Sequence, residues 1–170
     1  PVGNCMAHLA AMIVQGMFDK YPNQKVIFQE GGYWWLPDFM LRMDDFYLGS
    51  GGDIALVERK LATGERKLHK MPSQYVRDHI SFSFQEDHAG VALRHSIGLN
   101  NICWASDFPH SVSDWPYSRE VRERLFAKVP SNERVQIEAL NILVQLGMMT
   151  KEERARQSSE PRKSNVRSLQ

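Results

Sequence analysis

The chain has 170 residues, of which 42% are apolar and 24% charged, a composition typical of one globular domain. Its 21 Lys and Arg residues nearly balance 20 Asp and Glu residues, so the basic field that nucleic-acid binding needs is missing. No stretch approaches the roughly 20 apolar residues that span a bilayer, and the first residues lack the regions of a signal peptide. We therefore expect a cytoplasmic protein with neither nucleic acid nor membrane as a partner.

The first half of the chain alternates between helical and strand-like patterns. Residues 6–21 carry apolar side chains at helical spacing, and residues 25–29, KVIFQ, form a short strand-like run that two glycines end. Residues 35–46 return to helical spacing. Residues 54–70 are charged and have no firm period, so they predict an excursion over the surface.

The second half predicts two more strands and three helices. Residues 80–84, ISFSF, and 101–106, NICWAS, are the strands, and the second is a continuous run typical of a parallel strand buried on both faces. Residues 89–98 between them predict a short helix. Two further helices begin near Ser118 and Ser131.

This order of elements predicts an α/β fold in which βα units form a parallel sheet covered by helices. Three strands are too few for a closed barrel and leave two unpaired edges, so upstream residues or a partner must complete the sheet. The chain also opens at Pro1 without an initiating methionine, as expected of a piece of a longer protein. We predict a partial barrel over residues 1–148 and a polar, disordered tail over residues 149–170.

Functional side chains of parallel βα arrays lie where the strands end. Asp107 directly follows the third predicted strand, and burying a carboxylate there is costly unless a cation, a metal ion or several donors meet it. Pro109 stiffens the turn and holds His110 at a fixed distance beyond the carboxylate. The spacing alone leaves two interpretations open, namely the cap of a helix or loop, and metal or acid–base chemistry.

Glu30 follows the first predicted strand and precedes two glycines that allow a sharp turn. It is a candidate general base or metal ligand, and the competing interpretation is a salt bridge to an arginine such as Arg42 or Arg77. Trp34, just beyond this turn, is a candidate for contacting substrate, against the alternative of core packing.

Several stretches together resemble the amidohydrolase-related family that includes aminocarboxymuconate-semialdehyde decarboxylase and related metal-dependent hydrolases. They cover most of positions 6–147 in order: FDKYPNQKVIFQEGGYWWLPDFMLRMD, MPSQYVRD, GLNNICWASDFPHSVSDWP and SNERVQIEALNIL. The resemblance implies the C-terminal portion of a (β/α)₈ TIM barrel, about strands six to eight with their helices. It also implies a divalent metal, usually zinc, held by an H-x-H pair after strand one, a His after strand five and an Asp after strand eight.

By this resemblance Asp107 matches the aspartate ligand, and His110 matches a frequent histidine that contacts substrate or the residues around the metal. Glu30 stands after strand six, where the decarboxylases have a histidine, and this departure disfavours their specific chemistry. No H-x-H occurs in the chain, so we expect it to start after strand five and to hold no tight metal site by itself.

The intact protein is therefore predicted to be a metal-dependent hydrolase of the amidohydrolase superfamily that acts on a small molecule with zinc as its cofactor. Asp107 serves as metal ligand and proton acceptor, Glu30 orients or deprotonates water, and His110 and Trp34 contact substrate. The first alternative is a metal-dependent decarboxylase of an aromatic or unsaturated carboxylic acid. The second is a non-catalytic barrel half that pairs with its missing half or with another copy.

Overall fold

The computed structural model describes residues 2–49, 63 and 68–159 of the protein, and a three-stranded parallel sheet lies at its centre. The strands are β1 (Val26–Phe28), β2 (Ile80–Phe84) and β3 (Ile102–Trp104), arranged in chain order across the sheet. Both neighbouring pairs are parallel. This arrangement confirms the predicted α/β fold with parallel βα units.

Helices fill the connections between the strands. The α-helices are α1 (Val2–Val14), α2 (Met17–Lys20), α3 (Leu36–Leu48), α4 (Pro72–His79), α5 (His88–Ala92), α6 (Arg94–Ile97), α7 (Ser118–Leu125), α8 (Ser131–Val135), α9 (Asn141–Gln145) and α10 (Lys151–Ser159). A 3₁₀ turn (Leu99–Asn101) precedes β3, and a π-helical segment (Gln136–Leu140) joins α8 to α9. The helix predicted over residues 6–21 is divided at Gly16, whose φ of 72° lies in the left-handed region. None of the helices that the structure describes has the length and apolar composition of a membrane-spanning segment.

The hydrophobic core lies between the sheet and these helices. Every residue of β2 is buried, because β1 and β3 flank it and helices cover the sheet. Fully buried side chains from helices include Leu9, Ile13, Val76 and Ile137. Each such side chain contributes roughly 1.5–3 kcal/mol when it leaves water. The core therefore fixes the sheet, and with it the loops that follow the strands.

Helix α4 lies between the predicted excursion over residues 54–70 and the strand over residues 80–84, where the sequence analysis predicted no helix. Pro72 occupies the first helical position, where its missing N–H costs nothing, and the Gln74 side chain accepts a hydrogen bond from the Met71 N–H at 3.0 Å. The buried face of α4 includes Tyr75 and Val76. Most of the predicted excursion over residues 54–70 lies outside the described residues.

The C-terminal region differs from the predicted disordered tail over residues 149–170. Helix α10 occupies part of it and buries Arg154, with residues 160–170 outside the described part of the chain. Thr150 and Glu153 form a reciprocal cap, because the Glu153 N–H donates to Thr150 Oγ1 and the Thr150 N–H donates to Glu153 Oε2. The segment lacks an apolar stripe, so hydrophobic periodicity gave no sign of this helix.

Candidate metal centre

A cavity of about 270 Å³ opens at the carboxyl-terminal edge of the sheet. Its lining comes from the segments that end or follow the three strands: Gln29, Glu30, Ser83, Phe84, Gln85, Ala105, Ser106, Asp107 and Phe108. Parallel strands end at the same edge of a sheet, so segments distant in sequence meet there. The cavity lies where the sequence analysis placed the functional side chains.

Three side chains proposed from the sequence lie together here, two of them, Glu30 and Asp107, in the lining of this cavity and the third, His110, beside them. Glu30, Asp107 and His110 each offer one ligand atom, and these atoms all lie within 4.8 Å of one another. His110 Nδ1 is 2.8 Å from Asp107 Oδ2. The Asp107 side chain keeps 19% of its surface exposed and His110 keeps 55%, while Glu30 is exposed. The group is therefore accessible from solvent.

The two carboxylates stand on strained backbone. Glu30 and Asp107 have φ values of 59° and 56°, in the left-handed region that residues with a side chain rarely adopt. Such a conformation costs about 1–2 kcal/mol per residue and is found where the surrounding structure enforces it, often at functional sites. The turns after β1 and β3 thus hold both carboxylates at the cavity despite this cost.

Asp87, which follows β2, fastens the turn that carries Glu30. Its Oδ2 accepts a hydrogen bond from the Tyr33 N–H at 2.9 Å, and its Oδ1 accepts one from the Gly90 N–H at 2.8 Å. A Cβ on Gly90 would lie 2.5 Å from both Asp87 Oδ2 and the Tyr33 ring, so only glycine fits. The sequence analysis gave Asp87 no role, although an Asp directly before a helix is a recognisable capping signal.

Among the described residues, Glu30 forms no salt bridge to Arg42 or Arg77, and Asp107 caps no helix, although the sequence had left both interpretations open. Arg42 pairs with Asp38 at 2.7 Å, and Arg77 donates to two backbone carbonyls at the end of α6. No ion pair within the described ranges reaches Glu30. Asp107 contacts the His110 ring and caps no helix there. Both carboxylates are therefore available to a ligand.

Trp34 lies apart from the cavity. Its side chain is exposed, with 55% of its surface accessible, and it is not among the residues that line the cavity. Trp35 is buried instead, and its Nε1–H donates to the Gly32 carbonyl at 3.2 Å. The aromatic side chain on the cavity wall close to Asp107 is Phe108. Contact between Trp34 and substrate stays a prediction.

The three donors fit a divalent cation. Carboxylate oxygens and an imidazole nitrogen are ligands of zinc and manganese, with bond lengths of about 2.0–2.2 Å. Two ligands on opposite sides of such an ion stand up to about 4.3 Å apart, so the observed 4.8 Å limit requires only small side-chain movements. A cation would also relieve the repulsion between the two carboxylates.

Comparison with known proteins identifies the family. A sequence model of the amidohydrolase family matches residues 2–141. No curated protein sequence matches the chain. Among solved structures, a dihydroxybenzoic acid decarboxylase from Polaromonas sp., with bound manganese and the inhibitor 2-nitroresorcinol, has a TM-score of 0.62 and 18% identity, over 87% of this chain and 41% of that one.

Two further solved structures share the fold. A 2,6-dihydroxybenzoate decarboxylase from Rhizobium has a TM-score of 0.61 and 14% identity, over 84% of this chain and 41% of that one. A 5-carboxyvanillate decarboxylase from Sphingomonas paucimobilis has a TM-score of 0.56 and 22% identity, over 79% and 37%. The chain thus spans about two fifths of the length of these enzymes. Since the family match covers most of the chain, this protein belongs to the amidohydrolase family.

Proposed function

We propose that this chain supplies part of the divalent-metal centre of a hydrolase that acts on a small molecule. The observation that carries the proposal is that Glu30, Asp107 and His110 lie together at the carboxyl-terminal edge of the sheet, where Glu30 and Asp107 line a cavity. The described lining of this cavity has carboxylates and no Lys or Arg. A neutral amide or ester is therefore a better substrate for these residues than an anion.

The residues divide the chemistry among them. Asp107 binds the ion, zinc or manganese, which when present polarises the substrate carbonyl. Glu30 accepts a proton from the water whose oxygen forms the new bond to the carbonyl carbon. His110, oriented through Nδ1 by Asp107, gives the proton on Nε2 to the leaving nitrogen or oxygen as its bond to carbon breaks. The proton that Glu30 took from water then passes through solvent to His110, so both side chains regain their starting states.

With Glu30 and His110 in these roles, Asp107 is the one ligand that the described residues supply, whereas a catalytic zinc site takes three from protein. We propose that the remaining ligands come from the rest of the (β/α)₈ barrel, in the same protein or in another copy. This proposal is supported by the coverage of the solved structures, because the chain matches only about two fifths of the length of each. On this basis residues 1–148 form the C-terminal part of the barrel.

The metal centre is tested by adding Mn²⁺ to the full chain and recording paramagnetic broadening of amide resonances by NMR, which detects weak binding. We expect broadening at residues 30, 107 and 110, and at least a tenfold weaker effect in Asp107→Asn. Asp38→Asn is the matched control, since Asp38 pairs with Arg42 on the surface. Equal broadening in the wild type and Asp107→Asn would contradict the proposal. Stoichiometric tight zinc with turnover in this chain would contradict the need for further ligands.

Decarboxylation of an aromatic carboxylic acid is the second candidate, because the three solved structures named above are all decarboxylases. The complete metal-loaded protein distinguishes the two reactions when it is offered amides, esters and hydroxybenzoic acids. Hydrolysis releases an amine or alcohol and requires Glu30, so Glu30→Gln abolishes it. Release of carbon dioxide that survives Glu30→Gln would favour decarboxylation.

A further inference from the structure

A second cavity, of about 330 Å³, opens at the amino-terminal edge of the sheet, opposite the candidate metal centre. Its lining comes from segments that precede β2 and β3 and from α9 and α10. The polar residues on which its chemistry depends are Arg77, Asp78, Asn141, Lys151 and Arg154. Hydrolysis at the opposite edge uses none of these residues.

Arg154 is the central feature of this cavity. Only 8% of its surface is exposed, yet its guanidinium has one hydrogen bond, from Nη1 to Asn141 Oδ1 at 3.2 Å. Across the described ranges no carboxylate pairs with it. Asn141 is itself fixed, because its Nδ2 donates to the carbonyls of Leu99 and Ile102 at 2.8 Å. A buried guanidinium without a counter-ion is costly and keeps unused donors, which is the arrangement of an anion site.

Other cations surround the same space. Lys151 lies one turn before Arg154 on α10, and Arg77 lines the cavity as well. Asp78 is the one carboxylate in the described lining, and Lys70 already pairs with it at 2.6 Å. The crowding extends to Lys25, whose pKa is lowered by burial and by the nearby Lys151. In a chain with a net charge of only +1, this edge concentrates positive charge.

We propose that this cavity binds a phosphate group, with Arg154 as its buried anchor and Lys151 and Arg77 as flanking cations. A guanidinium presents paired N–H donors that match two phosphate oxygens, and lysine adds a compact charge. Three cations beside one paired carboxylate suit a dianion better than a monoanion. The cavity also has room for the organic part of a small phosphate monoester. This site goes beyond the proposed hydrolysis and stands without it.

The experiment titrates the full chain at fixed ionic strength with inorganic phosphate and with a simple phosphate monoester, by calorimetry and by thermal unfolding. We expect saturable binding of phosphate and a rise in the unfolding midpoint. Tighter binding of the monoester identifies a phosphorylated metabolite as the ligand, and equal binding identifies free phosphate. The proposal is overturned if phosphate produces neither binding heat nor a shift of the unfolding midpoint. The cavity would then be a site for another anion, such as the carboxylates of a protein partner.

Variants locate the site. Arg154→Gln is expected to weaken phosphate binding at least tenfold, and Lys151→Gln, which changes an exposed residue, about threefold. Lys128→Gln is the matched control, because it removes one exposed positive charge outside this cavity and leaves binding unchanged. If Arg154→Gln does not fold, Lys151→Gln decides. Wild-type affinity in Lys151→Gln, or an equal loss in Lys128→Gln, overturns the assignment.

Discussion

The two edges of the parallel sheet differ in charge and in how their polar groups are satisfied. At the carboxyl-terminal edge, Glu30 and Asp107 face a cavity from left-handed backbone and have no lysine or arginine partner among the described residues. At the amino-terminal edge, asparagine side chains donate to backbone carbonyls and cations gather. The contrast indicates that one edge keeps its groups free for chemistry, whereas the other uses side-chain hydrogen bonds to hold the strands.

The largest effect is expected from Asn101→Ala at the amino-terminal edge. Asn101 Nδ2 donates to the carbonyls of Ile80 at 2.7 Å, Arg77 at 2.9 Å and Val76 at 3.3 Å. Removing it takes a hydrogen bond away from each of these interior carbonyls, although the Ile80 N–H still donates to that of Val76, so we expect the free energy of unfolding to fall by about 2–3 kcal/mol in urea denaturation. Asn23→Ala, at an exposed asparagine in the turn before β1, is the control, with a loss below about 1 kcal/mol. Equal losses of stability in the Asn101 variant and the control would contradict the inference that asparagine hydrogen bonds hold the strands at the amino-terminal edge.

An effect of opposite sign is expected at the carboxyl-terminal edge. Glu30→Gly relieves the left-handed strain and is expected to raise the free energy of unfolding by about 1 kcal/mol, while it abolishes the Mn²⁺ effect. Glu30→Ala is the matched variant, because alanine also loses the carboxylate but keeps the strain. Chemical denaturation of both proteins measures the difference. If the Glu30→Gly protein is no more stable than the Glu30→Ala protein, the left-handed backbone at residue 30 does not reduce the stability of the protein.

The smallest effect concerns the acid stability of the amino-terminal edge. Burial raises the pKa of Asp78, but the hydrogen bond and charge of Lys70 outweigh it and hold the pKa below its usual 3.8. A carboxyl with a lowered folded-state pKa stabilises the protein above its unfolded-state pKa, and that contribution is lost as the pH falls through the folded-state value.

We therefore expect Lys70→Gln to lower the free energy of unfolding near neutrality by less than about 1 kcal/mol, since both side chains are about half exposed. The difference between variant and wild type disappears below the folded-state pKa of Asp78. Denaturation curves across the acid range measure it. A difference that persists at the acid limit would assign the effect to a contact other than the Asp78 charge.

The sequence predicted the strands well and some helices poorly. Residues 80–84 match β2 without error, since a run of β-formers flanked by breaks marks a strand. The strands predicted over residues 25–29 and 101–106 are shorter in the structure, because pairing with neighbours sets their ends. Helices α4 and α10 were missed, since one begins at a proline and the other has a polar surface with a single buried arginine.

The location of the candidate metal centre could be predicted from position alone, because strand ends of βα units converge whatever the loops contain, whereas the metal role came from the family resemblance. Glu30, Asp107 and His110 were found in this way and lie together. The phosphate cavity could not be predicted, since Arg77 and Arg154 are distant in sequence and only packing reveals that one of them is buried without a counter-ion. Burial of a charge is a property of the folded neighbourhood rather than of the residue type.

The Asp87 carboxylate affects how the loops of this protein can change in evolution, because each of its two oxygens binds a different segment. One oxygen accepts a hydrogen bond from the turn after β1, and the other accepts one from the helix after β2. A shift of either segment therefore requires a shift of the other if both hydrogen bonds are to be kept. Substitutions that remodel one loop for a new substrate would therefore disturb the Glu30 position as well. We expect the 108–117 loop to accept substitutions more readily, because Asp87 does not restrain it.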